Sequence, residues 1–64
     1  MIVKPKINYR HSGYPDSQVF SNQEYKATIA TNQPDYKLLG QIFISSKNGP
    51  ELLLNKGEYT IIKG

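Results

Sequence analysis

The sequence predicts an all-β domain, a small barrel of five short strands. Three observations lead there. Sixty-four residues leave room for a single domain spanning 1–64. Apolar residues recur with period two, and no window of ten or more sustains the 3.6-residue period of a helix. Clusters of Gly, Pro, Asn, Asp and Ser separate the alternating segments at strand-length intervals.

Met1 to Arg10 alternates, with Val3, Pro5, Ile7 and Tyr9 on one side and Lys4, Lys6, Asn8 and Arg10 on the other. This is the pattern of a half-buried strand. Pro5 has no N–H to give a ladder, which places the strand at a sheet edge or leaves that position facing away from its neighbour. His11 to Glu24 breaks the pattern with Gly13, Pro15, Asp16, Ser17, Ser21 and Asn22 and reads as one long loop, pinned to the core by Val19 or Phe20 while its tip stays wet. Tyr25, Ala27, Ile29 and Thr31 then alternate with Lys26, Thr28 and Ala30 as a second strand rich in β-branched residues. Asn32 to Asp35 end it, and the connection runs on through Tyr36 to Gly40. Gln41 to Ser46, with Ile42, Phe43 and Ile44, is the third strand. Asn48-Gly49 is the strongest hairpin signal, since both residues tolerate the positive φ of a type I′ turn, although Pro50 interrupts strict pairing there. Glu51 to Leu54 makes a fourth strand, Asn55-Lys56-Gly57 a tight connection, and Glu58 to Lys63 a fifth. The helical element the pattern admits is a single turn at Leu53 to Lys56.

One long loop after the first strand and tight turns later describe a meander closed into an SH3-like barrel, in which closure removes exposed edges. An OB-like barrel, usually longer, and an open meander sheet completed by dimerisation are the alternatives.

From Tyr14 to Ile62 the arrangement resembles small SH3-like proteins of unknown role from phages and prophages of Gram-positive bacteria. The likeness lies in an apolar pair and polar turn leading into a tyrosine-started strand (Val19-Phe20-Ser21-Asn22-Gln23-Glu24-Tyr25-Lys26-Ala27). It continues in a Gly-centred hairpin (Lys47-Asn48-Gly49) feeding Leu52-Leu53-Leu54, and in the closing Tyr59-Thr60-Ile61-Ile62. Asn22-Gln23 stands where such proteins commonly carry Gly-Lys, and Lys47 where they carry Asp. The resemblance implies a phage-type accessory or inhibitor protein acting on a host protein, and implies no catalytic residue.

Composition excludes several classes. With 38% hydrophobic and 20% charged residues the chain is not of the disordered type. Zero cysteines exclude a disulfide framework, a thiolate nucleophile and a Cys-type zinc site. No apolar run approaches the roughly 20 residues of a membrane span, and the opening segment alternates instead of forming a leader's apolar block, so a cytoplasmic protein without a membrane partner is expected. His11 is the only histidine. A Ser12-His11-Asp16 triad would have to assemble within one loop, and one histidine with scattered carboxylates makes no metal site. Asp16, Glu24, Asp35, Glu51 and Glu58 each sit at or beside a turn, where local bonding accounts for them. The dispersed glycines form no phosphate-cradling cluster. No catalytic set, metal or cofactor is therefore expected.

Two constellations remain. Tyr14 at the loop tip and Tyr36 near the far hairpin end are the expected exposed tyrosines, and with Asp16 and Phe20 they would form a shallow aromatic groove for a protein segment. Tyr9, Tyr25 and Tyr59 share parity with the core and are expected inside, their hydroxyls reaching the rim. Lys4, Lys6 and Arg10 would line one strand face roughly 7 to 13 Å apart, extended by Lys26, as a basic stripe for nucleic acid. The net charge of +3 leans toward acidic partners. The expected function is a noncatalytic protein-binding module, with weak nucleic-acid binding as the alternative. An edge strand and a thin core also leave self-association as a homodimer open.

Overall fold

The computed structural model describes residues 1–46 and 48–64. The chain runs through β1 (Ile2–Pro5), β2 (Tyr9–Arg10), β3 (Gln18–Val19), β4 (Tyr25–Ile29), one helical turn α1 (Tyr36–Leu39), β5 (Ile42–Ile44), β6 (Leu52–Leu54) and β7 (Tyr59–Lys63). Five strands form one antiparallel sheet in the order β6-β5-β4-β1-β7, and β2 and β3 form a separate two-stranded hairpin. The all-β expectation holds. The expected closure does not: the sheet is an open half-barrel with β6 and β7 as its edges.

Residues directly opposite in an antiparallel pair share a face, so the register defines the inner side. Val3 pairs with Tyr25 and Ile61, Ala27 with Ile44, Ile44 with Leu52, and Ile42 with both Ile29 and Leu54. Val3, Ala27, Ile42, Ile44, Leu52 and Leu54 are buried there and, with Val19 from the hairpin, make the core. Each Val, Ile or Leu side chain among them contributes about 1.5–3 kcal/mol by leaving water.

The first ten residues are not one strand. The chain leaves the sheet after Pro5, Ile7 is 61% exposed, and Tyr9–Arg10 pair with Val19 and Gln18 instead. The cause is the end of β4: Tyr25 opposite Val3 is its first residue, so nothing lies beyond to pair with. Asn8 Oδ1 accepts the Ser21 N–H at 2.9 Å where a ladder bond would have been. Nor is β1 an edge, since it lies between β4 and β7. The Met1 carbonyl bonds the Ala27 N–H, and the Lys6 N–H bonds the Glu58 carbonyl. Odd positions of β1 therefore turn their backbone groups toward β4, and the missing N–H of Pro5 faces the space past its end.

The segment expected as one loop carries β3, and its anchor is Val19, fully buried, while Phe20 is exposed. The helical turn falls at Tyr36–Leu39 rather than at Leu53 to Lys56, where Leu53 and Leu54 belong to β6. Its stop is Gly40, whose φ of 60° is left-handed and whose added Cβ would lie 2.6 Å from Lys56 Cβ. The second glycine reading is also corrected. Lys47 lies outside the described residues, but Gly49 does not have the positive φ of a type I′ turn. A Cβ at Gly49 would come 2.7 Å from Ser17 Cβ, so the position needs glycine for close approach.

Ser17 explains that approach. It is fully buried, and its hydroxyl donates to the Pro50 carbonyl at 2.6 Å. The hydrogen between the Ser17 and Ser46 hydroxyls, 2.8 Å apart, then comes from Ser46. This bonding ties the β2–β3 hairpin to the connection between β5 and β6. Ser17→Ala should cost about 1–3 kcal/mol, because the Pro50 carbonyl and the Ser46 hydroxyl lose their partner. Gly49→Ala should be at least as costly. Urea melts of both variants check this, and wild-type midpoints would refute the lock.

Candidate functional site

The three tyrosines expected inside are half-buried with bonded hydroxyls. Tyr9 donates to the Glu58 carbonyl at 3.3 Å. Tyr25 accepts the Phe20 N–H at 2.9 Å and donates to Gln23 Oε1 at 3.0 Å. Tyr59 donates to the Gly40 carbonyl at 2.7 Å, tethering the end of α1 to the inner face of β7.

That tether borders an open groove. Ile29 and Ile61 point to the same face as the buried Ile42 and Val3 that they pair with, yet they are 57% and 56% exposed. The β2–β3 hairpin covers one end of the inner face with Val19, and among the described residues nothing comparable covers the other. The result is a groove of 490 Å³ whose floor and walls include Met1, Ile29, Ile42, Tyr59 and Ile61, with Tyr36 on its α1 side. Its polar edge comes from Thr31, from Lys37, the only charged residue lining it among those described, and from Gln41, a buried amide that donates to Asn55 Oδ1 at 3.1 Å. A second depression of 300 Å³ lies between Phe20, Tyr25, Gln18, Gln23 and Asn48.

The residues expected to form one aromatic groove are thus dispersed. Tyr36 is half-buried, not exposed, and lines the large groove. Phe20 lines the small one. Tyr14 and Asp16 line neither: Tyr14 sits exposed at the hairpin tip, edge-on to His11 with ring centroids 5.3 Å apart, and Asp16 is an exposed turn residue. His11 Nδ1 accepts the Gly13 N–H at 3.0 Å, a turn-forming role. Sequence reasoning missed Met1, Ile29, Gln41 and Ile61. Parity assigned Ile29 and Ile61 inward, but period two cannot say whether anything covers an inward side chain.

The basic stripe is kept only in part. Lys26, opposite Ile2, falls on the same face of the sheet as Lys4, but Lys6 lies beyond the end of β1 and Arg10 on the other sheet, where it bonds Gln18 Oε1 at 3.4 Å. The Lys6 N–H to Glu58 O bond puts Glu58 across from Lys6. The face has mixed charge.

Among the described residues no group of three or more His, Cys, Asp or Glu converges as a metal site, and no helix is long and apolar enough to cross a membrane. No family model, curated protein or solved structure matches the chain.

Two outcomes follow from the hydroxyls. Removing the tether with Tyr59→Phe should cost about 1 kcal/mol and speed amide exchange of the α1 turn, read by NMR, while exchange in β5 stays slow. Burial, and to a smaller degree the Glu58 carboxylate, raise the pKa of Tyr9 above its ordinary 10.0. The phenol therefore holds its proton more tightly folded than unfolded, and its contribution to stability, complete below pH 10.0, is lost as pH rises through the folded value. Tyr9→Phe should flatten the alkaline fall in urea midpoint; an unaltered slope would show that Tyr9 plays no part.

Proposed function

We propose that this chain is a noncatalytic protein-binding module whose groove receives an apolar segment of another protein. One observation carries the reading: two isoleucines on the core face of the sheet, Ile29 and Ile61, stand more than half exposed in a groove that Met1, Ile42, Tyr36 and Tyr59 also line. Aliphatic floor, tyrosine walls and a single lysine at the rim suit a segment with apolar side chains and an acidic flank. The sheet order, with a hairpin inserted between β1 and β4, supports reading the half-barrel as SH3-like, a fold that hosts many functions and so argues for none alone. The nucleic-acid alternative draws less support, because Arg10 stands on the other sheet and Glu58 lies across from Lys6.

Selection from a random peptide library on the immobilised chain tests this. Enriched peptides should be rich in aliphatic and aromatic residues. Ile29→Asp should weaken them by about tenfold or more, the cost of one lost aliphatic contact. Tyr14→Ala, at the hairpin tip, should leave them unchanged. Peptides that bind Ile29→Asp as tightly as wild type would place the site elsewhere, and preferential retention of oligonucleotides would favour the alternative.

A further inference from the structure

We propose that two copies of this chain pair antiparallel through their β7 edges about a twofold axis at Thr60, which joins the two sheets into one. This goes beyond the groove reading and does not depend on what fills the groove.

The free backbone groups define the edge. Thr60 pairs with Lys4, and the Glu58 carbonyl takes the Lys6 N–H, so Glu58 and Thr60 turn their backbone groups toward β1. Tyr59 and Ile61 between and beyond them turn theirs outward, where no strand lies among the described residues. Natural edges are blunted by proline, charge, shortness or bulges. From Tyr59 to Ile62 this edge has no proline and no charge, and Ile61 and Ile62 are 56% and 46% exposed. The other edge, β6, has three residues and follows Pro50 and Glu51, which is a guarded edge. The surface is also large: 4527 Å² against about 4200 Å² for a monomer of this mass.

The register follows from the same groups. With Thr60 opposite Thr60 of the second copy, each Tyr59 faces an Ile61, and all the outward N–H and C=O groups of these two residues find partners. Tyr59 against Ile61 is an aromatic and β-branched cross-strand pair, and Thr against Thr is a favourable one. Glu58 comes opposite Ile62 of the second copy and Lys63 opposite Gly57, so no like charges stand opposite each other. The register of β1 against β7 shifts between Ile2 and Val3, so the bulge lies past Ile61 and outside the paired segment. A slip that centred the axis on Ile61 would place the bulge inside it. One strand pair buries less than a standard interface, so the dimer should dissociate on dilution.

The chain has no cysteine, which makes single-cysteine crosslinking unambiguous. The two Thr60 would form a non-hydrogen-bonded pair with Cα atoms about 4.5 Å apart, within disulfide reach. Under mild oxidation Thr60→Cys should crosslink well ahead of Leu53→Cys on the β6 edge. In sedimentation the reduced wild type should rise with concentration from 7.3 kDa toward twice that mass. Ile61→Lys, with an unchanged circular dichroism spectrum, should stay at the lower mass throughout. A wild type that remains monomeric over the whole series, or Leu53→Cys crosslinking as fast as Thr60→Cys, would overturn the proposal; the sedimentation arm decides even if the cysteine variant fails to fold.

Discussion

The inner face of a five-stranded sheet has one lid, and that lid is too short. Val19 and the half-buried Tyr9 come down from the β2–β3 hairpin over Val3 and its neighbours, and the core forms beneath them. At the other end the sheet continues through Ile29 and Ile61 with only the single turn of α1 beside it. Among the described residues no other element finishes the cover. The exposed core face is what this leaves, as expected in a small fold whose surface is large relative to its volume.

Where packing area is scarce, a few polar contacts position the parts. The Ser17 hydroxyl fixes the hairpin against Ser46 and Pro50, and Gly49 is small enough to let it approach. Tyr59 and Gly40 hold the helical turn against β7, and Gly40 closes on Lys56. Both devices join elements far apart in sequence, which local propensity alone would leave adrift. They set where the open end of the half-barrel begins, and therefore the walls of the groove.

The strands of the later chain were legible because Ile42-Phe43-Ile44, Leu52-Leu53-Leu54 and Tyr59 to Ile62 are short runs of strand-forming residues between turn formers. The opening decapeptide was misread because Ile7 and Tyr9 continue the alternation of Val3 and Pro5 with no break in residue type. The break comes from the length of β4, a tertiary fact. Asn48-Gly49 was read as conformational when Gly49 answers to a neighbour thirty-two positions earlier, Ser17. The site was least legible of all. Tyrosines drew attention to Tyr14, yet the groove depends on Ile29 and Ile61, whose inward parity looks the same whether covered or bare.

An uncovered patch of core face beside an unpaired edge is the surface on which the proposed associations rest. The claim beneath it is that Ile29 stands open to water while its ladder neighbour Ile42 does not. Methyl-labelled protein with a soluble paramagnetic probe measures this directly. The account predicts strong relaxation enhancement for the Ile29 methyls and little for those of Ile42 and Ile44. Protection of Ile29 equal to that of Ile44 in the dilute protein would mean that the inner face is closed, and would contradict it.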